Sequence, residues 1–295
     1  MRRRHFVGSA MAGGTFMGGL MGITGPTRAH AQTNEKISPD FMRFAENLVI
    51  DRDRPGQPHK GKVFAAIQPH ADDTTLLAPG IVFKLLNEGY TGYLIRVTNE
   101  DKSSGGTVGQ AVVEIEQDNK NIGKVSGLKK VYDLAYRKHD MEDISIQELR
   151  ARLIFLFRLL KIDTIITYDP WGHYEENPDH YITSKAVEAA RWHAPMRKDY
   201  PEHFRAGLEP QSVRERYYYG RGTSYDYQFI LFNRIIDVSA YADKIIEMNM
   251  ANATWGPLSR LSAEEIRERF LEKGDHRELG RMFGLKYAEA YHYMI

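Results

Sequence analysis

Between residues 63 and 168 the chain alternates short apolar runs with longer segments of helical spacing, and this rhythm restricts the folds open to it. Val63–Ile67, Tyr93–Val97, Val131–Tyr136 and Thr164–Tyr168 have the length and composition of strands. A helix is expected after the first strand, running to Asn87 and stopping at Gly89, with Pro79 in its first turn. Gly109–Ile122 and Ile146–Leu160 follow, the second with Leu149, Leu153, Leu156 and Leu160 on one face. Strands alternating with helices require a parallel sheet with crossover connections. The fold class is therefore α/β, a Rossmann-like three-layer sandwich with a mostly parallel sheet. After a helix at Ile182–Trp192 the rhythm breaks. Pro195–Pro210 is irregular, strands are expected at Arg216–Gly220 and Gln228–Phe232, and helices at Ala240–Met250 and Ala263–Lys273. Residues 195–295 read as a C-terminal α/β elaboration forming a substrate wall, within one domain spanning 61–295.

The first 31 residues read as an address. Arg3-Arg4-His5-Phe6-Val7 is a twin-arginine start, a Gly-rich apolar stretch follows, and Ala29-His30-Ala31 supplies a small-x-small cleavage site before Gln32. The expectation is export by the twin-arginine route to the periplasm or the extracellular space, with no stable membrane span after cleavage. Residues 32–60 form a polar extension with a turn-rich connector. The signal carries four arginines and no acid, leaving 36 basic residues against 39 acidic in the remainder. No basic surface for nucleic acid emerges from that balance. The chain has no cysteine, which excludes disulfides, thiolate metal sites and a Cys nucleophile. Any transition metal must be held by nitrogen and oxygen.

The chemistry concentrates where the first strand ends, at Pro69-His70-Ala71-Asp72-Asp73. In an open α/β sheet, the carboxyl ends of the strands form the ligand crevice. A second half-site, Asn177-Pro178-Asp179-His180, follows the fourth strand. His70, Asp73 and His180 can converge as three ligands with one open position, a set that suits Zn²⁺ and by ligand type also admits Fe²⁺ or Mn²⁺. Asp72 is then left facing the activated water, where a carboxylate can take its proton. No G-x-S-x-G elbow occurs in the mature chain, and Gly105–Gly109 lacks dinucleotide spacing.

These paired motifs resemble those of the PIG-L/LmbE family of zinc-dependent N-acetylglucosamine deacetylases. The match lies in that family's (A/P)-H-x-D-D motif, here Pro69–Asp73, and its H-x-D-H motif, here Asn177–His180. The resemblance implies zinc on His70, Asp73 and His180, Asp72 as general base, an acetamide substrate and release of acetate. One departure matters: the family commonly has a second His three residues before the metal His, and here that position is Asn177. An amide can still donate to an oxyanion but cannot carry positive charge. His173 is the nearest replacement, with Asp179 as its orienting partner. Asn99, Glu100 and Trp171, together with Asp179, are candidates for contacting substrate. The expected function is an exported zinc-dependent hydrolase that removes an N-acetyl group from an amino sugar or glycoconjugate. The alternatives are an amidase for another N-acyl substrate and a non-catalytic carbohydrate-binding protein. A homo-oligomer is compatible with the resemblance.

Overall fold

The computed structural model describes residues 48–103, 106–171, 175–220 and 232–295. Eight strands are present among them: β1 Val49–Asp51, β2 Val63–Gln68, β3 Thr91–Thr98, β4 Lys130–Tyr136, β5 Thr164–Tyr168, β6 Glu215–Tyr219, β7 Arg234–Asp237 and β8 Ala288–Met294. They form one sheet in the order β1-β7-β8-β6-β5-β2-β3-β4. From β6 to β4 the neighbours run parallel, and β1 pairs parallel with β7. The exception is β8, antiparallel to both β6 and β7. The chain starts in the middle of the parallel part at β2, builds outward through β3 and β4, then returns to the other side of β2 with β5 and β6. The switch point therefore lies between β2 and β5, where an open α/β sheet offers its crevice.

The helices are α1 Asp73–Leu77, α2 Pro79–Asn87, α3 Val108–Ser126, α4 Ile146–Leu160, α5 Pro178–His193, α6 Pro201–Arg205, α7 Ala242–Ala251, α8 Ala263–Ile266 and α9 Asp275–Met282. Alternation along β2 divides the core. Phe64 and Ala66 pack with Ile81 and Val82 of α2, Ile122 of α3 and Ile245 of α7, whereas Ala65 and Ile67 pack with Leu149 and Leu153 of α4 and Ala186 and Val187 of α5. Successive strand residues point to opposite faces, so a strand apolar at every position needs a helical layer on each side. That is the three-layer sandwich expected. Among the described residues, no helix is long and apolar enough to cross a membrane.

Several elements differ from expectation. The helix expected up to Asn87 is two helices, because Pro79 lacks the N–H that would continue α1 and instead opens α2. The polar extension is not outside the sheet: β1 lies within 32–60 and pairs with β7, a three-residue strand too short to show alternation. Ala263–Lys273 begins as α8 but continues through Arg267–Glu272 as a π-helix. The strand expected at Gln228–Phe232 lies mostly outside the described residues; Phe232 is not in a strand, and the next strand is β7. The signal segment 1–31, and the extension as far as residue 47, also lie outside them. Tyr217, Tyr218 and Tyr219 are all buried, because β6 lies inside the sheet and both of its faces are covered by core clusters.

Candidate metal centre and active site

The turn after β2 is tied by its neighbours before any ligand is considered. Gln68 Oε1 accepts from Thr74 N at 2.9 Å and Gln68 Nε2 donates to Ala71 O at 3.3 Å, so the last strand residue spans the turn. Thr98, ending β3, donates its Oγ1 to Pro69 O at 2.8 Å, and Glu100 Oε1 accepts from Ala71 N at 3.1 Å. Asp73 is the first residue of α1, yet its carboxylate is used inward. Its Oδ2 accepts from His70 N at 2.7 Å and its Oδ1 from the Tyr168 hydroxyl at 2.8 Å. Tyr168 comes from the end of β5 and stacks on His180, with ring centroids 4.1 Å apart. The carboxyl ends of the two switch-point strands thus deliver both halves of the site.

Three donor groups converge there. His70 Nδ1 and His180 Nε2 lie 3.0 Å apart; Asp73 Oδ2 is 3.6 Å from the first and Asp73 Oδ1 is 3.6 Å from the second. All three residues are buried. A tetrahedral cation with donors at ~2.1 Å separates them by about 3.4 Å, so the spacing fits a metal. An outer hydrogen bond sets the His70 imidazole. His70 donates Nε2–H to Asp179 Oδ2 at 2.9 Å, leaving the Nδ1 lone pair for the centre. His180 Nδ1 lies 3.1 Å from Glu175 Oε1, which leaves its Nε2 facing inward. Among the described residues, no lysine or arginine lies within ion-pair distance of Asp72, Asp73 or Asp179. The cluster is one that could hold a divalent cation.

Asp72 precedes α1 without capping it, since its side chain makes no cap hydrogen bond. It lines a cavity of about 360 Å³ shared with His70, Asp73 and His180. Burial, reinforced by the charges of Asp73 and Glu100, pushes its carboxyl up to about 6. A cation at the donor triangle would pull that value down again by direct attraction.

The other expected site residues fall in different places. Asn177 caps α5: its Oδ1 accepts from Asp179 N at 3.0 Å, and its Nδ2 lies 3.3 Å from His180 Nε2 at the cavity wall. Asp179, fully buried, orients the His70 imidazole through its Oδ2. Hydrogen bonds from His70 and the His139 backbone hold its carboxyl below the ordinary range against the opposing effect of burial. His173 lies outside the described residues. Among the described residues, three candidates for substrate contact do not line the cavity. Glu100 is fully buried, its carboxylate bonded to Ala71 N, Lys138 and Ser103; Asn99 turns the chain by accepting from Asp101 N; and Trp171 packs edge-on against Tyr218 away from the cavity.

Lys138, His139 and Trp255 line the cavity without having been singled out from the sequence. Lys138 is buried and donates to Glu100 Oε2 at 2.7 Å and Ser103 Oγ at 2.6 Å. His139 has a left-handed backbone, φ 59°, and donates its N–H to the same Asp179 oxygen that holds His70, at 2.8 Å. Glu100 shares the left-handed conformation with φ 61°. Two strained non-glycine residues beside one cavity are the signature of a site rather than a linker.

The fold and donor set define the class of protein: an open α/β sheet with a crevice at its switch point whose donors could hold a metal. Within that class, residues 65–191 match the family model described as GlcNAc-PI de-N-acetylase, PIG-L. The chain is 26% identical over 239 residues to diacetylchitobiose deacetylase from Thermococcus kodakarensis, covering 77% of this chain and 81% of the relative. Its fold is similar to that of N,N'-diacetylchitobiose deacetylase from Pyrococcus horikoshii, at TM-score 0.66 and 20% identity, covering 88% of this chain and 94% of that one. It is also similar, at TM-score 0.64 and 14% identity, to 4-carboxy-2-hydroxymuconate hydratase from Pseudomonas putida, covering 79% and 96%. At these identities the structural likenesses show the fold alone. The family model and the curated relative support one enzyme class, metal-dependent N-deacetylase.

Proposed function

We propose that this chain is an exported zinc-dependent hydrolase that removes the N-acetyl group from an N-acetylated amino sugar or glycoconjugate. The observation that carries the reading is the convergence of His70 Nδ1, Asp73 and His180 Nε2, with Asp72 in the same cavity. When bound, the metal supplies a Lewis acid that polarises the amide carbonyl and acidifies a water. The residues of the chain do the rest. Asp72 faces the cavity and takes one proton from the attacking water as its oxygen bonds to the carbonyl carbon. Asn177 Nδ2, fixed by the cap of α5, donates toward the developing oxyanion. As the C–N bond breaks, the protonated Asp72 carboxyl gives its proton to the amine, and acetate and the free amino sugar leave. His70 keeps its proton on the outer nitrogen, held by Asp179, and His180 turns its outer nitrogen toward Glu175 at 3.1 Å.

The test is acetate release from N-acetylglucosamine and its β-linked disaccharide by protein loaded with Zn²⁺, Fe²⁺ or Mn²⁺, alongside longer N-acyl analogues. Asp72→Asn is expected to keep its metal while turnover falls by about 10²- to 10⁴-fold. Full turnover in that variant would remove Asp72 from the mechanism. A preference for longer acyl groups would move the substrate to another N-acyl amide. Export is read from residues 1–31 and is tested by N-terminal sequencing of the secreted protein, which is expected to begin at Gln32.

A further inference from the structure

We infer that Trp255 is the platform on which a pyranose ring lies at the mouth of the cavity, and that Lys138 fixes the plane of that platform. The inference rests on the reading of the site as an amino-sugar deacetylase. Among the described residues lining the cavity, Trp255 alone comes from the C-terminal third of the chain. It is half-buried and belongs to none of the hydrophobic clusters that fill the core, so packing does not account for it.

Its position is determined from three sides. The Lys138 ammonium lies 4.4 Å from the ring centroid. Because Lys138 is itself held by Glu100 and Ser103, the cation–π contact orients the indole rather than the lysine. On the N-terminal side, Thr254 N donates to Asp118 Oδ2 of α3 at 2.7 Å. On the C-terminal side, Gly256 has φ +109° and presses against the proposed base: a Cβ there would stand 2.9 Å from Asp72 Oδ2. Only glycine takes that conformation and leaves that space. The indole is thereby placed one residue from the group that moves the proton.

The cavity's other large aromatic ring is already occupied, since Tyr168 is stacked on His180 and donates its hydroxyl to Asp73. Trp255 is left as the aromatic face for a ligand. A sugar ring offers an apolar C–H face bordered by hydroxyls, and an indole ringed by polar groups is the complementary surface. An acyl chain or an aromatic aglycone in the same place are the other outcomes.

Two measurements test this. The first is the ratio of kcat/KM for N-acetylglucosamine to that for an acyclic N-alkyl acetamide, using the metal-loaded full chain. Trp255→Ala is expected to lower the ratio about tenfold, mainly through KM, and Trp255→Phe to restore most of it. A ratio unchanged in Trp255→Ala, or a preference for longer acyl chains lost with it, overturns the assignment to a sugar ring. The second is independent of turnover. Metal-loaded Asp72→Asn is titrated with glucosamine by tryptophan fluorescence and calorimetry, and compared with Asp72→Asn/Trp255→Phe. A fluorescence change lost in the double variant supports the platform even if no acetate is ever released. Sugar binding without that change, or no sugar binding, overturns it.

Discussion

The two sides of the cavity are assembled in opposite ways. The reacting side is written locally: His70, Asp72 and Asp73 sit within four residues, and Gln68 and Asp73 staple the turn from within. The facing side is gathered from far apart, Lys138 and His139 from the loop after β4 and Trp255 from the segment after α7. Each of those residues is held by a carboxylate elsewhere in the chain, namely Glu100, Asp179 and, through Thr254, Asp118. A turn whose own residues supply its chemistry carries that chemistry wherever the turn recurs. A wall held by remote carboxylates can change without disturbing the turn, and so is the natural place for substrate choice.

Substitutions grade this contrast. The largest effect is expected from Asp73→Ala, which removes a donor, the partner of His70 N and the acceptor of Tyr168 together. Metal should no longer co-purify and turnover should vanish, as read by metal analysis and acetate release; retained metal would place the centre elsewhere. Next comes Asp179→Asn, which leaves all three donors but loosens His70. Metal affinity should fall about 10- to 100-fold by competition with a chelating dye, while the circular dichroism spectrum stays the same. An unchanged affinity would separate the His139 loop from the centre. Smaller again is His139→Gly. Relief of the left-handed backbone should raise stability in urea by about 1 kcal/mol or less while turnover drops, and a loss of stability would show that the imidazole packs rather than serves.

The smallest effect belongs to the opposite, amino-terminal end of the strands and acts as the control. Burial would raise the Glu215 carboxyl, but hydrogen bonds from Tyr90, Thr164 and Lys62 outweigh it and hold the group below the ordinary range. A depressed folded value stabilises above the unfolded value of about 4.3, and that stabilisation disappears as pH falls through the folded value. Glu215→Gln should therefore lower the urea midpoint at about pH 7 by an amount worth about 1 kcal/mol, and much less at about pH 3, with metal content unaffected throughout. An equal gap at both pH values would trace the effect to packing.

What could be read from the sequence follows the same division. β2, β3 and β5 were readable because burial on both faces demands apolar residues at every position. The donor motifs were readable because ligand chemistry admits few residue types. β1 and β8 were not, since one has three residues and the other, Ala288–Met294, mixes Glu289 and His292 among its aromatics. Glu289 is buried there because it accepts from Gly80 N and Ile81 N at the start of α2, a contact spanning most of the chain, and from the Tyr291 hydroxyl. The pairing of Lys138 with Glu100 was hidden for a related reason. Each is a charged residue after a strand, where the common outcome is a solvated turn, yet they pair with each other inside the protein. His139 and Trp255 carry no local pattern that distinguishes a cavity wall from a loop.

One oxygen atom has consequences beyond its hydrogen bonds. Asp179 Oδ2 receives both the His70 ring and the His139 main chain. The ligand imidazole and the β4 loop are thereby coupled as one mechanical part, hinged on a single carboxylate. A molecule that displaces the loop on entering the cavity must tug on the ring that holds the centre, and tightening the centre must in turn draw the loop inward. Occupancy of the mouth and grip on the centre are then two readings of the same lever.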